Sequence, residues 1–209
     1  MCFYAYASGD SPYQTLGPKL CAAESSPKMK FLDQYLAAWN PDEKGVLVTV
    51  NPVTSIILYW HYRSLGYRVA IADGRQSKQV LGTLCQLFQE EETAAALHPD
   101  LSSPQILIGT TKLLSVGINL YRATRLVQVE PEWLASTEEQ ARGRINRFGQ
   151  LSRTGTIRLW CSNSKVEELI CSTQQKRAEL LNLSLEHFVL ADDGLQLGED
   201  AADEHEEIN

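Results

Sequence analysis

At 209 residues, with 44% hydrophobic and 22% charged side chains, the chain has the make-up of an ordinary soluble globular protein, with room for one domain and a full core. Its formal net charge of −7 is unevenly spread: residues 189–209 hold eight acidic side chains and no Lys or Arg, leaving the remainder close to neutral. That excludes a nucleic-acid binder that is basic by composition, so any site for a polyanion must be local. No apolar run approaches bilayer-spanning length, so no membrane partner is expected. The N-terminal stretch lacks the basic and apolar regions of a secretory leader. Cys2, Cys21, Cys85, Cys161 and Cys171 are odd in number and scattered without a CxxC pair. This argues against a disulfide framework or a metal site and favours a reducing compartment, cytosol or nucleus.

In chain order, residues 1–28 read as an irregular lead-in broken by Gly9, Pro12, Gly17, Pro18 and Pro27. From Lys28, Leu32, Tyr35, Leu36 and Trp39 recur at helical spacing until Asn40-Pro41. "GVLVTV" (45–50) is a β-branched run typical of a strand covered on both faces. A helix closed by Gly66 follows, then a strand over 67–72 and a helix beginning at Lys78. "QILIGT" (105–110) and "TRLVQVE" (124–130) are further strands, and residues 89–104 between elements read as a surface insertion. "ASTEEQARGRINRF" reads as a helix ending at Gly149, "GTIRLWC" (155–161) as a fifth strand, and 165–183 as a long amphipathic helix. Residues 189–209 are expected to be a disordered acidic tail. The alternation predicts an α/β fold, a mostly parallel sheet with helices on both faces, whose chemistry sits at the carboxyl ends of the strands.

The arginines repay closer reading. On a helix turning about 100° per residue, Gly143, Arg144 and Arg147 fall within about 60° of Gln140. One face then offers an amide, a position without a side chain and two guanidiniums, a combination suited to planar, bidentate recognition of phosphate oxygens. The alternative is a solvated face pairing with Glu138 and Glu139.

"QARGRINRFGQ" (140–150) resembles motif VI of superfamily 2 helicases in the form found in Swi/Snf-type DNA translocases and chromatin remodellers. The resemblance extends in order through "SSPKMKFLDQYL", "VLVTVNP", "YRVAIADGRQS" with Phe88, "ILIGTTKLLSVGINLYRATRLVQVEPEW" and "TIRLWCSNSKVEELICSTQQKRAELLN", about residues 25–185. It implies a RecA-like three-layer lobe over residues 29–188, the C-terminal, second lobe of a two-lobe ATPase. Arg144 and Arg147 would be arginine fingers, with Gln140, Gly143, Gly117 and Asn119 beside ATP and Asn119 at the ribose. Thr110 and Thr111 would grip a nucleic-acid phosphate, although Thr at a strand end is also commonplace. Asp73-Gly74 would be the family's turn, or simply a turn.

The chain contains no G-x-x-x-x-G-K-[ST] and no D-E-x-[HD]. Mg²⁺ and the phosphates are therefore expected on a first RecA-like lobe supplied in cis or trans, and the chain alone is not expected to hydrolyse ATP. Duplex DNA, chromatin proteins and a nuclear location are the other implications. Leu114-Ser115 replace a usual glycine pair, Asn146 a usual histidine, and "VEPEW" a usual acidic-aromatic turn, which marks a divergent branch. Two other readings stay open: a non-catalytic DNA- or protein-binding module, and an RNA helicase lobe. The acidic C-terminus is either a solvated tail or a mimic of DNA phosphate.

Overall fold

The computed structural model describes residues 26–89, 103–114, 119–147, 150, 152–180, 187–190 and 195–199. Chain order runs α1 (Pro27–Ala37), β1 (Gly45–Thr49), α2 (Pro52–Ser64), β2 (Val69–Ala72), α3 (Lys78–Gln89), β3 (Ile106–Thr110) and α4 (Thr111–Leu114). It continues through β4 (Arg125–Gln128), α5 (Ala135–Arg142), β5 (Gly155–Cys161), α6 (Lys165–Leu180), β6 (His187–Leu190) and β7 (Leu195–Glu199). The sheet order is β2-β3-β1-β4-β5-β7-β6. The first five strands are parallel, with Gly45 level with Ile106 and Arg125.

Parallel strands need crossover helices, and these cover both faces of the sheet. Side-chain alternation sorts the core. Leu47, Ile71, Ile108, Val127 and Leu159 face Leu32 and Leu36 of α1 and Leu58, Tyr59 and Tyr62 of α2. Val46, Val48, Ala70, Ala72, Leu107 and Leu126 face Leu84 and Phe88 of α3, Leu114 of α4, Leu120 and Ile145. Each fully buried Leu or Phe contributes about 1.5–3 kcal/mol. β1 is buried along its whole length because it lies between β3 and β4, which explains its unbroken apolar run. The fold is a RecA-like three-layer α/β lobe.

Local chemistry sets the helix ends. Pro52 opens α2 after Asn51, whose side chain accepts from Val53 N–H (2.9 Å). At the other end Gly66 adopts φ +88°, and the N–H groups of Gly66 and Tyr67 return to the Arg63 and Tyr62 carbonyls.

One boundary differs from expectation. β7 lies antiparallel to β5, and β6 to β7, so a domain edge at residue 188 and a wholly unstructured tail from 189 do not describe this fold. β7 takes the free edge of β5, with Cys161 level with Leu195 and Leu159 with Leu197. Residues 1–25 and 200–209 lie outside the described residues, as do 90–102 of the expected insertion.

Candidate functional site

The helix expected to run to Phe148 ends at Arg142. Gly143 caps it with φ −60° and ψ −2°, after which Arg144 and Ile145 N–H bond to Ala141 and Arg142 carbonyls (3.0 and 3.1 Å), a tighter three-residue spacing. The cause is competition for carbonyls. That of Gly143 accepts from Arg147 Nε (2.8 Å), that of Arg144 from Leu120 N–H (3.0 Å), and that of Ile145 from Gln150 Nε2 (3.3 Å). The arginines therefore sit on a compact turn, and the grouping projected on an α-helix is replaced by one that tertiary bonds impose.

This turn brings four sequence candidates together. Arg147 is exposed and donates to the Gly143 carbonyl and, through Nη1, to the Asn119 side-chain oxygen. Both acceptors are neutral, so its charge is held without being neutralised. Arg144 is half-buried; desolvation first and the neighbouring Arg147 charge second lower its pKa from the ordinary value. Two guanidiniums within each other's field, one of them solvent-facing, make a site that an oxyanion would stabilise. Gly143 leaves the ledge low: a Cβ there would meet only the Glu139 and Gln140 carbonyls, at 3.5 and 3.6 Å.

The loop carrying Asn119 is pinned from two sides. Gln89, the last residue of α3, donates to the Asn119 carbonyl and accepts from Arg122 N–H (3.0 Å). Gln150 donates to the Ala123 carbonyl (2.9 Å). Lys44, directly ahead of β1, donates to the Phe88 carbonyl (2.7 Å) and Ser103 Oγ (2.5 Å). Ala123 and Lys44 both lie just ahead of strands, so the arginine turn sits toward the amino ends of β1 and β4. The carboxyl-end rule for such sheets does not locate it.

A buried polar network fixes α5 from behind. Arg158, in the middle of β5, lies 2.9 Å from the Glu138 carboxylate and 2.6 Å from Gln174 Oε1 of α6, with the Arg158 and Glu138 side chains 6% and 4% exposed. Glu138 also accepts from Glu132 N–H (2.7 Å), and Gln174 donates to the Glu132 carbonyl (2.5 Å). On the other flank Lys28 of α1 donates to the Val129 carbonyl (2.9 Å) and to Glu167 of α6 (2.6 Å).

The remaining candidates fall elsewhere. Gln140 is exposed on α5, and Gly117 lies outside the described residues. Arg142 pairs with Glu139 at 3.0 Å, so the alternative of helix-face pairing holds for Arg142, while Glu138 is engaged by Arg158. Thr110 is half-buried at the carboxyl end of β3. Thr111 is fully buried, its hydroxyl donating to the Thr49 carbonyl (3.2 Å) and accepting from Gln128 Nε2 (3.2 Å), so that hydroxyl belongs to the fold and is not presented to a ligand. Asp73 accepts from Arg75 N–H (3.1 Å) and pairs with its guanidinium, organising a turn. Among the described residues no group of three or more His, Cys, Asp or Glu is placed to hold a metal ion.

Sequence reasoning missed Gln89, Arg158 and Gln174, placed Glu138 on a solvated face, and took Gln150 only as the end of the motif VI resemblance. One signal was available: an arginine between apolar neighbours in "TIRLW" requires a buried acidic partner.

Residues 27–149 match the helicase conserved C-terminal domain. A putative SWI/SNF-related matrix-associated actin-dependent regulator of chromatin, subfamily A member 3-like 1, of Arabidopsis thaliana is 30% identical over 147 residues, which is 68% of this chain and 15% of that protein. The DNA repair and recombination protein RAD54-like of Drosophila mojavensis is 31% identical over 165 residues, 78% of this chain and 20% of that one. The chain thus spans a minor part of the length of these relatives. In fold it resembles the crystal structure of the C-terminal part of the Fun30 ATPase domain, with TM-score 0.62 and 23% identity over 72% of this chain and 46% of the other. With residues 27–149, more than half its length, matched to that family, the chain belongs to the helicase conserved C-terminal domain family, and the relatives to which it is similar carry SWI/SNF-related and RAD54-like names.

Proposed function

We propose that this chain is the second lobe of an ATP-dependent DNA translocase of the remodelling type, and that Arg144 and Arg147 are its arginine fingers. The observation that supports this most directly is the seat of Arg147, an exposed guanidinium resting on two neutral acceptors, beside a half-buried Arg144 whose pKa is lowered first by desolvation and then by the Arg147 charge. Bonds from a guanidinium to neutral oxygens are weaker than its bidentate bonds to the anionic oxygens of a phosphate, where both partners are charged. A γ-phosphate reaching this turn would therefore draw Arg147 off the Gly143 carbonyl and Asn119. As charge spreads over the transferring phosphoryl group the two cations stabilise it, an effect of about 10³- to 10⁵-fold in rate in related enzymes.

ATP and its Mg²⁺ would arrive on a first RecA-like lobe, in cis or trans, since the sequence here has neither a phosphate-binding loop nor the acidic magnesium motif. Gly143 would allow close approach with Gln140 beside it, and Gly117 would be a further nucleotide contact by the motif resemblance alone. Duplex DNA would be followed through its phosphates, without regard to sequence, with Thr110 and the backbone around it as contacts. A nuclear site of action among chromatin proteins accords with the relatives' names.

The test is reconstitution with a Swi/Snf-type first lobe and duplex DNA. ATP turnover is expected that the chain alone lacks, that Arg147→Ala abolishes and that duplex DNA stimulates more than RNA does. Failure of any cognate lobe to restore turnover would favour a non-catalytic binding module, and stronger stimulation by RNA an RNA helicase lobe.

A further inference from the structure

We propose that Gln89 is a positioning residue for the arginine pair, acting through Asn119 on Arg147; this rests on the reading of Arg147 as a phosphate ligand. Gln89 closes α3 and sends one carboxamide to two backbone groups of a single loop. Its Nε2 donates to the Asn119 carbonyl, and its Oε1 accepts Arg122 N–H at 3.0 Å. A side-chain amide can do both at once, whereas a carboxylate only accepts and an ammonium only donates. The same Asn119 then gives its side-chain oxygen to Arg147 Nη1, while Arg147 Nε is anchored on the Gly143 carbonyl.

Two acceptors, one on each side, thus define where an exposed and otherwise pliable guanidinium rests. The Gly143 acceptor comes with the turn itself. The Asn119 acceptor has its place only because the 119–122 loop is held, and the holder on the α3 side is Gln89. The Leu120 N–H bond to the Arg144 carbonyl (3.0 Å) ties this loop to the backbone of the second arginine. Gln89 itself touches no ligand in this arrangement. It sets the starting position from which Arg147 engages phosphate, and that pre-orientation removes part of the ordering cost of binding.

The experiment uses the full chain labelled with ¹⁵N-arginine and inorganic tripolyphosphate as the probe. The Nε–H resonance of Arg147, assigned by its loss in Arg147→Lys, reports its position before any ligand is added. In Gln89→Leu that resonance is expected to move toward the value of a solvated arginine and to exchange faster with water, and tripolyphosphate is expected to bind about three- to ten-fold more weakly. Gln89→Glu keeps the acceptor for Arg122 N–H but loses the donor to Asn119, so it is expected to behave like Gln89→Leu and serves as the second variant if that one fails to fold.

The route is read by a double-mutant cycle: in Asn119→Ala, Gln89→Leu should add nothing, whereas a merely structural role gives additive losses. An unmoved Arg147 resonance in folded Gln89 variants, or additive effects, overturns the proposal. If the unaltered chain fails to bind tripolyphosphate, the phosphate reading falls, and the ligand-free resonance still decides the role of Gln89.

Discussion

Arg158 of β5 and Glu138 of α5 form an ion pair at 2.9 Å with both side chains almost wholly removed from water. Such a pair is strongly context-bound: breaking it by removing one partner costs about 3–5 kcal/mol, because the other charge is left buried and uncompensated. Arg158→Met is therefore expected to lower unfolding free energy by that amount, read as a shift of the urea midpoint. Glu138→Gln in the same chain should recover part of it, since a neutral amide need not be neutralised and still accepts from Glu132 N–H. Equal stability of Arg158→Met and the unaltered chain would show that the pair does not fix α5.

Arg147 gives the opposite profile. It is exposed and its partners are two neutral oxygens, so Arg147→Ala should change thermal stability by no more than about 1 kcal/mol. With a first lobe present, turnover should nevertheless fall by about three orders of magnitude or more. Arg147→Lys keeps the charge but not the two-pronged planar geometry, and it is expected to fall well short of full rescue. A parallel loss of melting temperature and turnover would reassign Arg147 to the fold.

The contrast between these two arginines shows what the sequence could and could not disclose. Runs such as "GVLVT" and "ILIGT" identify buried parallel strands because burial on both faces leaves no polar position. The arginine cluster was visible as a cluster. Its shape was not, because the end of α5 at Arg142 depends on Leu120 and Gln150 taking carbonyls that a continuing helix would need. Leu120 is distant in sequence and Gln150 acts through a side chain that also reaches the Ala123 carbonyl, so local propensity reports neither. Thr111 is misleading in the same way: its place after β3 suggests a phosphate contact, and only the positions of Thr49 and Gln128 reveal that its hydroxyl is committed inside.

Thr110 and Thr111 separate accordingly. Thr111→Val keeps the shape and removes a buried hydroxyl that bonds the Thr49 carbonyl and Gln128 Nε2, so it should cost about 1–3 kcal/mol in stability. Its effect on DNA affinity at low salt should be nil once the protein is folded. Thr110→Val, half-buried at the strand end, should leave stability within about 0.5 kcal/mol and weaken duplex binding if the hydroxyl meets phosphate. Fluorescence anisotropy with duplex DNA alongside denaturant unfolding distinguishes the two. Weakened binding by a fully folded Thr111→Val would mean that this hydroxyl turns outward.

Gly143 offers the most discriminating substitution in the arginine turn. Its φ of −60° suits any L-residue, and a Cβ would stand 3.5 Å from the Glu139 carbonyl and 3.6 Å from that of Gln140, both ordinary contacts. Nothing in the fold therefore requires glycine, and Gly143→Ala should be neutral or stabilising by about 0.4–1 kcal/mol through the unfolded chain. If the missing side chain serves to let a triphosphate approach the backbone between Gln140 and Arg144, the same variant should bind tripolyphosphate more weakly and slow turnover with the first lobe, while melting at or above the original temperature. Higher stability with lower function would locate the phosphate over residue 143; unchanged binding would place it farther along the turn, against Arg147 alone.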